Sequence, residues 1–306
     1  MNIQMPMKVA SQKKFTEIGR LRKLTLSGWV VEILKYILLF VLTITYVLPF
    51  FWMFTSALKN DSQVYVVPPI WLPNPAFWEN FLNAWKSQPF NLYLFNTVFL
   101  YAIPVTFGMV LSSSIVAYGF SRLRWKGRDT LFYLCLATMM VPFQVQMVPL
   151  FIIFKHLGWI DSFRPLVIPA FFGGPFYIFM LRQFFMTLPI ELSEAARIDG
   201  ATELGILFRI ILPLSRPALT VVALFSFIDA WNDYLGPMIY VHNNLKLVLA
   251  LGVENMRRTM MFNSTISNAY PYLMAVSTII VLPILILFFF GQKTFIEGIS
   301  MTGIKE

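Results

Sequence analysis

Met186-Thr-Leu-Pro-Ile-Glu-Leu-Ser-Glu-Ala-Ala-Arg-Ile-Asp-Gly200, continued by Ala201-Thr-Glu-Leu-Gly-Ile-Leu-Phe-Arg-Ile-Ile-Leu-Pro213, stands between two long apolar runs. It is too polar to cross a bilayer and too long for a turn. Pro189 suits a first helical turn, where its missing N–H costs nothing. Glu191 favours the positive end of that helix. Ala195 and Ala196 are strong helix formers. Gly200 can take the left-handed conformation that stops a helix. Thr202 can cap a second short helix, which Pro213 is expected to end. The segment 186–213 therefore encodes a helix–Gly–helix hairpin outside the membrane. Its small alanines and the charge of Glu194 fit two roles, docking to a partner protein or lying on lipid as an amphipathic element.

The rest of the 306-residue chain explains why such a hairpin stands out. Fifty-eight percent of residues are hydrophobic and 13% are charged, against about 25% charged in a soluble domain. One core could not hide that much apolar surface, whereas lipid can cover it. Tyr36–Leu58 contains no charged residue but the last flanking lysine lies just beyond it. As a helix it covers roughly 35 Å, enough to cross the hydrocarbon core. Five further spans are expected at 92–120, 130–154, 164–185, 215–238 and 272–291, with Pro49, Pro104, Pro142 and Pro283 inside spans. The reading is an all-α polytopic membrane protein of six helices. Residues 1–28 form a basic N-terminal segment and 29–306 one transmembrane domain ending in a tail, 292–306.

Six spans put both termini on one side. The segments of that side carry 17 Lys and Arg against 7 on the other, so both termini and the hairpin are expected to be cytoplasmic. Arg122, Arg124, Lys126 and Arg128 are the densest basic cluster and read as a membrane anchor. The net charge of +9 is thereby assigned to topology rather than to nucleic acid. No removable signal peptide is expected, because the basic N-terminus runs into an apolar segment too long for a signal core.

Chemistry-bearing patterns are sparse. Cys135 is the only cysteine and reads as packing. His156 and His242 are isolated, and no spacing suggests a metal site. No G-x-x-x-x-G-K-[ST] loop is present to cradle nucleotide phosphates. Gly173-Gly174 reads as close helix packing. Asn263-Ser264-Thr265 matches a glycosylation sequon and carries no functional reading. Within span five, Asp229, Asn232 and Asp233 share a helical face with Ser226 and Gly236. Insertion of such a stripe costs roughly 2.5–3.5 kcal/mol per Asp, so it must face protein or water. Two roles remain open: bordering a solute path, with Trp231 as a stacking surface, or hydrogen bonding between helices. Gln144 and Gln146 in span three are weaker members of the same class.

Glu194-Ala195-Ala196, then Gly200, Ile210 and Leu212-Pro213, at these spacings and before the fifth of six spans, resembles the EAA motif of binding-protein-dependent ABC importer permeases. Val67-Pro-Pro-Ile-Trp-Leu-Pro73, Trp231-Asn-Asp-Tyr-Leu-Gly-Pro237 and the tail from Gln292 to Gly298 with Thr302-Gly-Ile-Lys305 are similar to the carbohydrate branch, in particular to the maltose-type second permease subunit. The resemblance implies a type I importer (MetI-like) fold in a prokaryotic cytoplasmic membrane. It implies docking of an ATPase by Glu194, Ala195, Ala196, Gly200, Ile210, Leu212 and Pro213. It implies a second permease subunit, two nucleotide-binding subunits that hold ATP and Mg, and an external solute-binding protein. This chain would carry no cofactor and catalyse no reaction. A non-sugar ABC permease and an ion-coupled transporter using Asp229 and Asp233 are the alternative readings. The latter leaves the hairpin without a purpose.

Overall fold

The computed structural model describes residues 26–262 and 268–303, with side chains from 29 to 260 and from 268 to 292. Residues 1–25 of the basic N-terminal segment, the sequon at 263–265 and residues 304–306 of the tail lie outside the described residues. The described residues are helical, with no strand among them. The principal helices are α1 (Leu26–Ala57), α2 (Phe90–Ser121), α3 (Arg128–Met140), α4 (Phe143–His156), α5 (Arg164–Thr187), α6 (Glu191–Ile198), α7 (Glu203–Leu214), α8 (Arg216–Asn232), α9 (Leu235–Tyr240), α10 (Leu249–Phe262) and α11 (Ala269–Gly303).

Four of these, α1, α2, α5 and α11, are long and apolar enough to cross a bilayer by themselves. Crossings rise to six when α3 with α4, and α7 with α8, each count as one bent span, broken at angles of 98° and 84°. The chain divides into two compact units, Met1–Trp52 and Met53–Glu306. The first contains the bulk of α1, which carries no charged residue from Tyr36 to Phe51. A helix without a polar face belongs in lipid or inside a larger assembly.

The expected single helix over 130–154 is corrected by the break at Val141-Pro142. Val141 is extended (φ −83°, ψ 112°), as the residue before a proline prefers, and Pro142 has no N–H to continue the ladder. Each limb alone spans about 20 Å, short of a crossing. The side chain of Gln146 donates to the freed Val141 carbonyl at 3.0 Å. Its amide thus serves the break.

Span five also differs from its expected bounds of 215–238. Pro213 does not end the hairpin's second helix, which runs on to Leu214 and turns at Ser215 (φ −97°, ψ 13°). Pro217, near the start of α8, lacks the N–H that would bond the Pro213 carbonyl, so the continuous ladder fails between them. At its far end α8 stops at Asn232, because Asp233 is extended (φ −66°, ψ 117°). The Oδ1 of Asp233 accepts the Gly236 N–H at 3.0 Å, which steadies the first turn of α9.

In the second unit the core has two regions. Ala117, Tyr118, Leu181, Phe185, Ile206, Leu207, Ile211 and Val222 pack the hairpin against α2, α5 and α8. Phe90, Tyr93, Ala102, Val105, Ala170, Trp231, Val248 and Met256 form the other, toward the opposite end of α2. Between them α2 and α5 approach closely. A Cβ on Gly108 would sit 2.8 Å from the Phe171 ring, and one on Gly174 would meet Met109 Sδ at 2.9 Å. Ser112 Oγ crosses the same gap to the Ala170 carbonyl at 2.8 Å. Gly173 (φ 88°) supplies the turn between the two parts of α5.

Candidate functional site

Two places gather the polar side chains of the hairpin and of the Asp229–Asp233 stripe, and α8 joins them. The first is the hairpin. α6 ends in a Schellman turn: Gly200 N–H donates to the Arg197 carbonyl at 3.0 Å and Ala201 N–H to the Ala196 carbonyl at 2.9 Å. Gly200 sits at φ 79°, the left-handed geometry that glycine takes without penalty. Thr202 Oγ1 then accepts the Gly205 N–H at 3.2 Å and opens α7.

Ion pairing closes the hairpin on itself and on α2. Arg197 reaches Glu203 with two bonds, 2.7 and 3.2 Å, and the Tyr118 hydroxyl of α2 donates to Glu203 Oε2 at 2.5 Å. Hydrogen bonding from Glu203 holds the Arg197 guanidinium above its usual range. Arg122, expected to anchor in the membrane surface, is instead 5% exposed. Its guanidinium donates to the carbonyls of Phe185, Leu188 and Pro189 at 2.5, 2.7 and 3.3 Å. These carbonyls lie at and just beyond the C-terminal end of α5, where the helix leaves acceptor capacity unused. Arg182 Nε adds a bond to the Phe120 carbonyl at 3.2 Å.

The hairpin residues divide by face. Glu194, Ala195, Gly200 and Pro213 are exposed, and Ile210 and Leu212 are half-buried. Ala196 is turned inward and packs with Tyr118 and Leu181, so its small size serves this chain's own packing. Glu194 borders a cleft of about 770 Å³ between the hairpin and the Arg122–Trp125 loop. Sequence reasoning passed over the apolar tip, where Ile198 is 87% exposed and Leu204 61%. The signal was available: Ser193 and Ala196, three apart, are the buried positions of α6, so an apolar Ile198 falls outside the buried face.

The second place is a cavity of about 660 Å³ bounded by α2, α4, α5 and α8. Asp229, Asn232 and Asp233 line it together. Tyr177 donates to Asp229 Oδ2 at 2.7 Å, and Tyr101 to Asp233 Oδ2 at 2.5 Å. The two roles left open for the stripe thus coincide, since each carboxylate is bonded across helices and also borders the cavity. Trp231 is corrected: it points away, 4% exposed, stacked on Phe227 with centroids 5.8 Å apart. Gln144 and Gln146 are absent from the lining, to which their segment contributes Phe143.

Apolar helices around a polar cavity, with a structured hairpin feeding directly into a cavity helix, define a membrane permease. Residues 108–300 match the family described as binding-protein-dependent transport system inner membrane component. The chain belongs to that family, whose members are integral inner-membrane transport subunits and not enzymes. It is 33% identical to the probable ABC transporter permease protein YurM of Bacillus subtilis, over 88% of this chain and 87% of that one. It is 31% identical to the sn-glycerol-3-phosphate transport system permease protein UgpE of Yersinia enterocolitica, over 88% and 95%. It is also 31% identical to the arabinooligosaccharides transport system permease protein AraQ of B. subtilis, over 86% and 92%. The fold is that of a chain in the crystal structure of a bacterial ABC transporter involved in the import of the acidic polysaccharide alginate, with a TM-score of 0.78 at 23% identity, covering 88% of this chain and 98% of that one.

Proposed function

We propose that this chain is one of two unlike permease subunits in an ATP-driven importer that moves a carbohydrate or sugar derivative inward by alternating access. The observation that carries the reading is the direct run of α7 through an 84° bend into α8, which bears Asp229 and ends beside Asp233. A push on the hairpin is therefore a push on the cavity wall. Two nucleotide-binding subunits binding ATP and Mg would supply it. Their docking surface would be Glu194, Ala195 and Gly200, extended by Ile198 and Leu204, with Ile210, Leu212 and Pro213 at its base. Both termini and the hairpin lie on the cytoplasmic side in this reading, supported by the excess of Lys and Arg there. A solute-binding protein would deliver cargo to the opposite face. The carbohydrate class rests on the relatives for arabinooligosaccharides and on the resemblance of the 67–73 and 231–237 segments. Coupling requires that the cavity differ between the two ATPase states.

Gly200→Val tests the lever. No atom stands within 4 Å of the added Cβ, so the whole effect is backbone strain of about 1–2 kcal/mol at positive φ. The expected result is an ATPase subunit that still co-purifies while uptake per ATP hydrolysed falls. Unchanged coupling in this variant would refute the coupling role of the turn.

A further inference from the structure

The charge of the cavity says which solutes can pass. Resting on the reading of this cavity as the solute path, we infer that its cargo is an uncharged polyhydroxylated solute, and that Asp229 and Asp233 exclude phosphorylated sugars and uronates. The lining contributed by this chain holds two carboxylates, one carboxamide, two phenols and the Ser226 hydroxyl, and no Lys or Arg among the described residues. Both phenol hydroxyls are already spent on the carboxylates. Asp233 has both oxygens bonded, one to Tyr101 and one to the Gly236 N–H.

Asp229 uses Oδ2 alone on Tyr177, and its side chain is exposed to the cavity. Its Oδ1 is thus an acceptor presented to the path, next to the Asn232 amide, which offers donor and acceptor together. Hydroxyl groups match that set, since each can donate to the carboxylate and accept from the amide. The phosphoryl group of a phosphorylated sugar or the carboxylate of a uronate brings only acceptors and further negative charge, which meets Coulomb repulsion in a site walled by low-dielectric helices. The aromatic face of Phe143 completes a surface suited to the apolar side of a sugar ring.

The field can be read without knowing the cargo. In the assembled transporter, Asn232→Cys is placed on a Cys135→Ser background and reacted with thiosulfonates of equal size carrying a trimethylammonium, a hydroxyl or a sulfonate. Rates are divided by those for a free thiol. A shifted thiol ionisation then cancels, because all three reagents attack the same thiolate. The expected cationic-to-anionic ratio is about tenfold or more. It should fall toward unity in Asp229→Asn with Asp233→Asn, since asparagine keeps the acceptor oxygens for Tyr177 and Tyr101.

A ratio at or below unity overturns the exclusion. A ratio that survives both Asn substitutions overturns its assignment to these carboxylates. A cysteine that none of the reagents reaches, the uncharged one included, overturns the solute path itself and is thus distinguishable from the other two results. In proteoliposomes supplied with binding protein and ATP, accumulation of sn-glycerol 3-phosphate or of an oligouronate would likewise overturn the proposal.

Discussion

Ala195 and Ala196 are neighbours in sequence and opposites in role. Ala196 lies in the packing between α6, α2 and α5, whereas Ala195 faces outward. Ala196→Leu should therefore cost roughly 1–3 kcal/mol by overpacking, visible as a lowered unfolding temperature of the solubilised protein. Ala195→Leu should stay within about 0.5 kcal/mol and weaken ATPase co-purification instead. Equal stability of the two variants would show that the inward packing of Ala196 is wrong. The same division runs through the basic cluster. Arg122 is spent on three carbonyls inside the protein. Burial, joined by the nearby Arg197 charge, pushes its guanidinium below the usual range, and those bonds compensate its desolvation.

Loops at the end of α5 remote from the hairpin are joined by one side chain. Asp161, in the loop between α4 and α5, adopts φ 57°, a conformation Asp tolerates better than most residues. Its Oδ1 accepts the backbone N–H groups of His242 and Asn243 at 3.1 and 2.9 Å, and Oδ2 accepts Lys246 at 3.0 Å. Hydrogen bonds from the Asn243 backbone and Lys246 hold its carboxyl below the ordinary range. Because the folded value is the lower one, the clasp contributes stability above the unfolded value of about 3.9. That contribution fades as pH falls through the folded value. The protection factors of residues 241–246, which divide out the intrinsic pH dependence of amide exchange, should fall on acidification from pH 6 to pH 3, and Asp161→Ala should show the low protection already at pH 6. Protection that is independent of pH in the wild-type protein would exclude the clasp.

Across the whole second unit, a latch connects the hairpin to α2. Tyr118 donates to Glu203, which in turn pairs with Arg197. α2 also supplies Tyr101 to the cavity. In the proposed mechanism, hairpin displacement would reach the cavity along two helices, α8 through the chain and α2 through the latch. Tyr118→Phe removes the hydroxyl and leaves the ring packing intact. In the assembled transporter it should leave ATP hydrolysis standing and lower uptake several-fold, on the order of 1 kcal/mol of coupling. Full coupling in this variant would mean that α8 alone transmits the movement.

Composition and apolar runs by themselves determined the membrane class, the approximate places of the candidate crossings and the helix–Gly–helix form of residues 186–213. Each of these depends on local propensity or on the length of an apolar run, and both are written along the chain. Even there, Pro142 reads as a tolerated span residue, yet it breaks the helix, because only the fold decides whether neighbours re-satisfy the freed carbonyls. The pairings were decided by tertiary structure alone. Tyr177 meets Asp229 from 52 positions away and Tyr101 meets Asp233 from 132, separations at which no sequence periodicity operates. The inward turn of Trp231 and Ala196 and the burial of Arg122 have the same origin. Residue type states what a side chain can bond, but the partner is chosen by which helices pack together.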